Sequence, residues 1–347
     1  MSNEELWWDA KRTLSYNCLF NFVIGMRGGG KTYGSLKYAV EQYIKSGQQF
    51  MYIRRYQTEL DKLTKQRGGR LFNAVKSEFP SHELKAESNT LYIRKKGSKD
   101  YKVLGYAQPL TTASVLKSDA FPDVTLLVFD EFIIDTRGAY HYLKDEVTKF
   151  LDLYETIARG RDVKCLFLSN AVSITNPYFD FFHLNKPYNG DIQRFGQSKE
   201  ILVQNFLSTA LQNKKKTSRF GSIISGTEYS NYAYDNEWLL DNEDFIEKKN
   251  KRCWCYVILT YKGHNLGIWC DPVQWIYYVS EDCDMQIENR YSVTTDDHKP
   301  NVMLFKTGRK LPWLKRLIDS YECGAVRYES MKLKNWFRDI MRMANHG

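Results

Sequence analysis

Between Gly25 and Thr32 the chain reads G-M-R-G-G-G-K-T, and few stretches of eight residues restrict a fold so strongly. Two glycines, a lysine and a hydroxyl residue at these offsets make a Walker A loop. The apolar run 19–24 before it has the character of a buried strand, and residues 33–46 after it have that of a helix. Strand, glycine turn and helix together aim the loop N–H groups and the positive end of the helix dipole at phosphates. Gly25, Gly28, Gly29 and Gly30 let the backbone close around them. Lys31 then reaches the β- and γ-phosphates, and the Thr32 hydroxyl holds magnesium. Arg27 is not required by the pattern and is a candidate γ-phosphate or subunit contact. The expected ligand is a nucleoside triphosphate with magnesium.

The same alternation continues downstream. Residues 49–56 read as a second strand, 91–106 as a hairpin around Lys95, Lys96 and Lys99, and 124–129 and 163–168 as buried strands with a helix over 143–157 between them. Strands alternating with helices imply a parallel sheet covered on both faces. The run V-T-L-L-V-F ends in Asp130 and Glu131. A carboxylate at the end of such a strand suits the magnesium shell, and the next one can polarise a water against the γ-phosphate. The pair points to ATP-hydrolysing motors, helicases and translocases, with a strand inserted between the two nucleotide strands. Asn170, ending the next strand, is either a γ-phosphate sensor or a turn-forming residue. Arg159 either completes a neighbour's site or satisfies a helix end.

A formal charge of +9 and a pI near 9.0 favour a polyanionic partner. Arg54, Arg55, Lys95, Lys96 and Lys99 are candidate DNA contacts, each also explicable as a solvated surface charge. The acidic start M-S-N-E-E is unlike a signal peptide, and no apolar run reaches membrane-spanning length. Seven scattered cysteines without zinc or disulfide spacing suit a reduced, intracellular chain. We therefore expect a P-loop domain over 1–205, a basic linker over 206–230 and a second domain over 231–347. That second domain holds a meander of three strands near 254–279 and two amphipathic closing helices, the last presenting Leu333, Trp336, Phe337, Ile340, Met341 and Ala344 on one face.

Several long blocks go beyond generic motifs: L-S-Y-N-C-L-F-N-F-V-I-G-M-R-G-G-G-K-T, Q-F-M-Y-I-R-R-Y, K-S-D-A-F-P-D-V-T-L-L-V-F-D-E-F, L-S-N-A-V-S-I-T-N-P-Y-F, S-R-F-G-S-I-I-S-G-T-E-Y and T-T-D-D. Over nearly the whole chain, the sequence resembles the DNA-packaging (encapsidation) ATPases of phi-twenty-nine-like tailed phages. It departs most over residues 185–215 and 283–291. The resemblance implies a homomeric ring, pentameric in that family, at the portal vertex of a procapsid in the host cytoplasm. Such a ring drives double-stranded DNA inward, in some cases with a structural RNA. Position by position it implies Lys31 and Thr32 on phosphate and magnesium, Asp130 as the Walker B carboxylate and Glu131 as the catalytic one. It likewise implies Arg159 as a trans-acting finger, Lys117 at the subunit interface and Asn170 as the sensor. The second domain is expected to be a vestigial ribonuclease-H-like fold without nuclease activity, since its first strand carries no acid and Asp271, Asp296 and Asp297 form an incomplete cluster. A helicase or recombination-type ATPase on single strands is the alternative that the nucleotide motifs also permit.

Overall fold

The computed structural model describes residues 6–65, 69–135, 140–184, 187, 190–236, 244–300, 302–305 and 311–345. They fall into two units, Met1–Leu240 and Asp241–Gly347. In the first, a short helix α1 (Ala10–Ser15) precedes β1 (Phe20–Gly25), α2 (Lys31–Ser46), β2 (Gln49–Arg54) and α3 (Gln57–Thr64). Strands β3 (His82–Glu87), β4 (Thr90–Lys95) and β5 (Lys102–Pro109) follow, then a 3-10 segment, Leu110–Ser118. Next come β6 (Val124–Asp130), α4 (Glu146–Ala158), β7 (Lys164–Ser169), α5 (Pro177–Phe182), β8 (Ile192–Phe195) and β9 (Ile201–Phe206). Three short helices close the unit: α6 (Thr209–Lys216), α7 (Arg219–Ile224) and α8 (Glu228–Tyr234).

The nine strands form one sheet in the order β3-β4-β5-β2-β6-β7-β1-β9-β8. Its six central strands, β5 to β9 in that order, are parallel, and antiparallel strands flank them on both sides. Alternation along the central strands builds two cores. Phe22, Phe129 and Phe167 face α4 and α5, with Phe22 stacked on Phe167 at 4.2 Å, while Val23, Val128 and Leu166 face α2. Burial on both faces explains why these strands read as continuous apolar runs. Because the strands are parallel, the residues that follow β1, β2, β6, β7 and β9 all emerge at one edge, where open α/β sheets place their ligands. β7 lies between β1 and β6, so the two nucleotide strands are separated by one strand, as expected.

The expected linker over 206–230 is a correction. Residues 209–234 form the three short helices α6, α7 and α8 and belong to the first unit, which ends at Leu240. Ser208, Ser218 and Thr227 accept hydrogen bonds from Leu211, Gly221 and Ser230 N–H, so the polar residues that suggested a flexible stretch are helix N-caps. Helix α1, strand β3 and the pair β8–β9 were also not foreseen.

The second unit contains β10 (Trp254–Tyr261), β11 (His264–Cys270), β12 (Tyr277–Ser280), β13 (Arg290–Ser292), β14 (Met303–Leu304), α9 (Pro312–Glu322), β15 (Val326–Tyr328) and α10 (Met331–Asn345). Its sheet runs β14-β13-β10-β11-β12-β15. The expected meander is β10–β11–β12; β13 and β14 run parallel to β10, and β15 parallel to β12. The stripe from Leu333 to Ala344 on α10 is core, as its spacing implied. Cys255 is buried on β10, whereas Cys253 lies before the strand and is half-buried.

Candidate nucleotide site

Gly25 ends β1 where the chain must turn, and a Cβ there would lie 2.7 Å from the Phe206 carbonyl oxygen at the end of β9. Only glycine allows that approach. Gly30 adopts φ +85° as the N-cap of α2, a left-handed conformation that glycine takes without strain. Lys31, the first helical residue, is buried and folds its ammonium back onto the loop, donating to the carbonyls of Gly25 at 2.9 Å and Met26 at 3.0 Å and to Asn170 Oδ1 at 3.2 Å. Burial pulls its pKa down to about 7, against the attraction of Asp130 and with a further push from Lys215.

Asp130 closes β6 in the middle of the sheet's ligand edge. Its Oδ2 accepts from Thr32 Oγ1 at 2.9 Å and from the Tyr52 hydroxyl at 2.7 Å, and Arg54 Nη2 lies 3.4 Å away. Two hard oxygens, Thr32 Oγ1 and Asp130 Oδ2, thus meet at one point on the phosphate side. This donor set fits magnesium, which takes few protein oxygens and completes its shell with water and phosphate.

Glu131 follows with φ +62°, a left-handed conformation that a β-carbon disfavours and that concentrates at functional sites. Two hydrogen bonds hold it: its N–H donates to Leu168 O at 2.8 Å, and its carbonyl accepts from Arg55 Nη1 at 3.1 Å. The turn aims a half-exposed carboxylate at the open edge, where it pairs with Arg54 Nη1 at 2.5 Å. Burial alone would lower the Arg54 pKa, but Tyr52, Asp130 and Glu131 outweigh it and hold the guanidinium well above its ordinary range.

The two arginines that follow the β2 strand motif are corrections as DNA contacts. Arg54 is spent on the carboxylates of the nucleotide site. Arg55 is 1% exposed and makes a two-pronged pair with Glu146 at 2.7 Å on both oxygens, while donating to the carbonyls of Glu131 and Phe132. A guanidinium with every donor turned inward cannot grip a phosphate backbone. Arg54 ends β2 and Arg55 follows it in a bend, so the two adjacent side chains part, one to the sheet's ligand edge and one to the core, which the doubled R-R concealed.

Asn170, beyond β7, faces Lys31 and lies beside Tyr232 of α8. Arg27 is exposed at the tip of the loop. Sequence reasoning missed three further neighbours. Tyr52 orients Asp130. Trp8 N–H donates to Gly29 O at 3.0 Å, bracing the loop from the N-terminal segment. Lys215 on α6 donates its ammonium to the carbonyl of Arg27; burial first, then the Arg27 guanidinium, hold its pKa below the lysine range.

The remaining candidates lie at the other edge of the sheet. Arg159 is the left-handed C-cap of α4, and its Nη2 donates to Asp119 O at 2.7 Å. Arg161 beside it donates to the carbonyls of Pro122 and Val124, at the start of β6. Helix α4 has 13 residues, so this edge is about 20 Å from the protein's own phosphate loop. The side chain of Lys117 lies outside the described residues, but its backbone belongs to the segment Leu110–Ser118 that leads to Asp119 on the same edge. The β4–β5 turn with exposed Lys95, Lys96 and Lys99 is there too, since Ile93 pairs with Lys102 at the start of β5. Arg159, Lys117 and the hairpin lysines therefore share one edge, and the phosphate loop occupies the opposite one.

A mainly parallel sheet with a Walker A loop, a strand interposed before the Walker B strand and an adjoining glutamate defines the P-loop class to which nucleotide-driven motors belong. The chain belongs to the podovirus DNA encapsidation protein (Gp16) family, whose pattern matches residues 2–345, and DNA packaging is its function. It is 36% identical over 341 residues to the DNA packaging protein of Bacillus phage phi29, covering 98% of both chains. To that of Bacillus phage B103 it is 37% identical over 322 residues, covering 92% of this chain and 96% of the relative. Among solved structures, a chain of the bacteriophage Phi-29 viral genome packaging motor assembly matches with a TM-score of 0.75 at 35% identity, covering 98% of this chain and 100% of that one.

Proposed function

We propose that this protein is an ATP-hydrolysing motor that moves double-stranded DNA into a preformed capsid, working as a homomeric ring on the portal. The observation that carries the reading is the meeting of Lys31, Thr32, Asp130 and Glu131 at one sheet edge while Arg159 stands at the other. Lys31 leaves its carbonyls for the β- and γ-phosphates. Thr32 and Asp130 would hold the magnesium ion, which neutralises phosphate charge. Glu131 releases Arg54, orients a water and takes its proton as the water oxygen bonds to the γ-phosphorus and the bond to the β-phosphate oxygen breaks. ADP and phosphate leave.

A guanidinium about 20 Å from its own loop serves catalysis only through a neighbour, so Arg159 and the segment bearing Lys117 are read as the trans half of the next subunit's site. The five-fold ring and a structural RNA at the portal vertex of the procapsid rest on the family resemblance. Of the DNA contacts expected from sequence, Lys95, Lys96 and Lys99 are retained; replacing all three with glutamine is expected to reduce the slope of log affinity against log salt by roughly three for duplex DNA.

We read the second unit as a ribonuclease-H-type fold that does not cut DNA. Within the six-stranded sheet, the run β12-β11-β10-β13-β14, antiparallel in its first half and parallel in its second, supports the fold, and β15 adds a further strand parallel to β12. The acids support the loss of cleavage. Asp271 is committed to Asn250, Arg252 and two backbone N–H groups, and Asp297 caps the turn at Lys262 and Gly263. Robust metal-dependent cleavage by the full-length protein would overturn this.

The central test is Glu131→Gln in assembled particles. ATP binding is expected to persist while turnover and packaging fall by about a hundredfold or more. Unchanged turnover would sink the proposed role.

A further inference from the structure

We propose that Lys215, carried on α6, is a second lysine ligand of the nucleotide's phosphates, supplied from outside the Walker motifs. The inference rests on the nucleotide reading above and deepens it. The Lys215 ammonium donates to the carbonyl of Arg27 at the centre of the loop, and a Cβ built on Gly28 would meet it at 3.1 Å. Lysines buried or half-buried in a protein ordinarily find a carboxylate. Among the described residues no acidic side chain pairs with Lys215, and the charged group that acts on its ammonium is the Arg27 guanidinium, of like sign. Its neighbour Lys216, by contrast, pairs with Asp235 at 2.5 Å. Three cations, Lys31, Arg27 and Lys215, are thus drawn to one loop, with Asp130 acting on Lys31 and the Tyr234 ring, at 5.8 Å, lying under Lys215, an arrangement that a polyphosphate would relieve.

The backbone that carries Lys215 is fixed. Gln212 and Lys216 bind Asp235 at the end of α8, and Asn236 donates to Asn205 Oδ1 at 2.5 Å beside the end of β9. Asn236 also donates to the Phe206 carbonyl, and Tyr232 of α8 lies beside Asn170, the residue that receives Lys31. Helices α6 and α8 are therefore held against the loop by contacts that do not involve Lys215, and only its side chain has to swing from the Arg27 carbonyl to a phosphate oxygen. Gly28 is what permits this, because any side chain there would stand in the path.

The test uses full-length protein and fluorescent ATP and ADP analogues with magnesium. Lys215→Ala is expected to bind the ATP analogue about ten- to hundredfold more weakly, the range for losing one charge-assisted bond to an anion. Lys215→Arg is expected to lose less. Binding by Lys215→Ala within twofold of wild type, or equal losses in Ala and Arg, overturns the proposal and leaves Lys215 as a strut. Lys31→Ala serves as the separate control: if it binds nucleotide normally, the nucleotide site itself is misread, whereas loss with Lys31→Ala but not Lys215→Ala removes only the present inference. Should Lys215→Ala fail to fold, acylation of the wild-type protein with an amine-reactive reagent decides the matter. ATP with magnesium is expected to slow modification of Lys215 while adenosine does not; equal rates with and without ATP overturn the proposal.

Discussion

Replacing Arg55 with methionine separates two incompatible views of the doubled arginine at the end of β2. Arg55 and Glu146 are 1% and 0% exposed in their side chains, joined at 2.7 Å, with Tyr178 and the Leu143 N–H completing the carboxylate's shell. Methionine keeps much of the stem's volume but leaves Glu146 buried without its counter-charge, which costs about 3–5 kcal/mol. It also releases the carbonyls of Glu131 and Phe132, so the strained turn that aims Glu131 loses its clamp. For a unit of this size each kcal/mol moves the melting temperature by about 2–4 °C, so a fall of roughly 6–20 °C is expected in the calorimetric transition of the first unit. The double change Arg55→Met with Glu146→Leu should recover much of that, because the unpaired charge is gone, yet it should not recover turnover. A phosphate-gripping arginine predicts the reverse: an unchanged melting temperature and a salt slope of DNA binding reduced by about one. That outcome would refute the structural assignment.

Two further expectations follow from the site. The Lys31 pKa is depressed in the folded protein to about 7 from 10.5, so between those values the unfolded chain binds more protons than the folded one. The stability of nucleotide-free protein should therefore rise by up to a few kcal/mol from pH 7 to pH 10 and be flat below, at about 1.4 kcal/mol per unit of pH; Lys31→Met should abolish the rise in urea midpoints. For Arg159, mixing tests the trans assignment. Arg159→Ala subunits keep an intact loop and Glu131→Gln subunits keep an intact finger, so each ring is nearly inactive alone, by about a thousandfold or more for the finger. Mixed rings should regain turnover at junctions that unite the two good halves, and absence of any recovery would place Arg159 elsewhere.

What could be read from the residues was whatever local chemistry dictates. The loop at Gly25 to Thr32, the strand ending in Asp130 and Glu131, and the apolar stripe on α10 are fixed by spacing and side-chain type, and each stands where expected. What escaped depended on contacts distant in sequence. Strand β9 reads as an ordinary apolar segment until it pairs with β1 and presses Phe206 against Gly25. Tyr52 and Trp8 are two aromatics among many, and only the fold brings one to Asp130 and the other to the loop. Arg54 and Arg55 show the limit most clearly. Net charge treats both as surface, whereas the fold turns Arg54 to Asp130 and Glu131 and Arg55 to the buried Glu146. The helices over 209–234 were misread because serine and threonine serve equally in linkers and as N-caps.

The distance between the two edges of the first sheet has a consequence for counting. If Arg159 serves the neighbouring site as proposed, a subunit offers a loop on one side and a finger on the other, so contacts between copies are head-to-tail and carry a direction. An open arc of n such subunits contains n−1 finished sites, with one loop and one finger idle at its ends. Closure adds a site without adding a subunit. Activity per chain in a titration of assembly should therefore climb as (n−1)/n and step upward when the circle shuts, and a single defective loop should silence one junction while leaving its own finger in service next door.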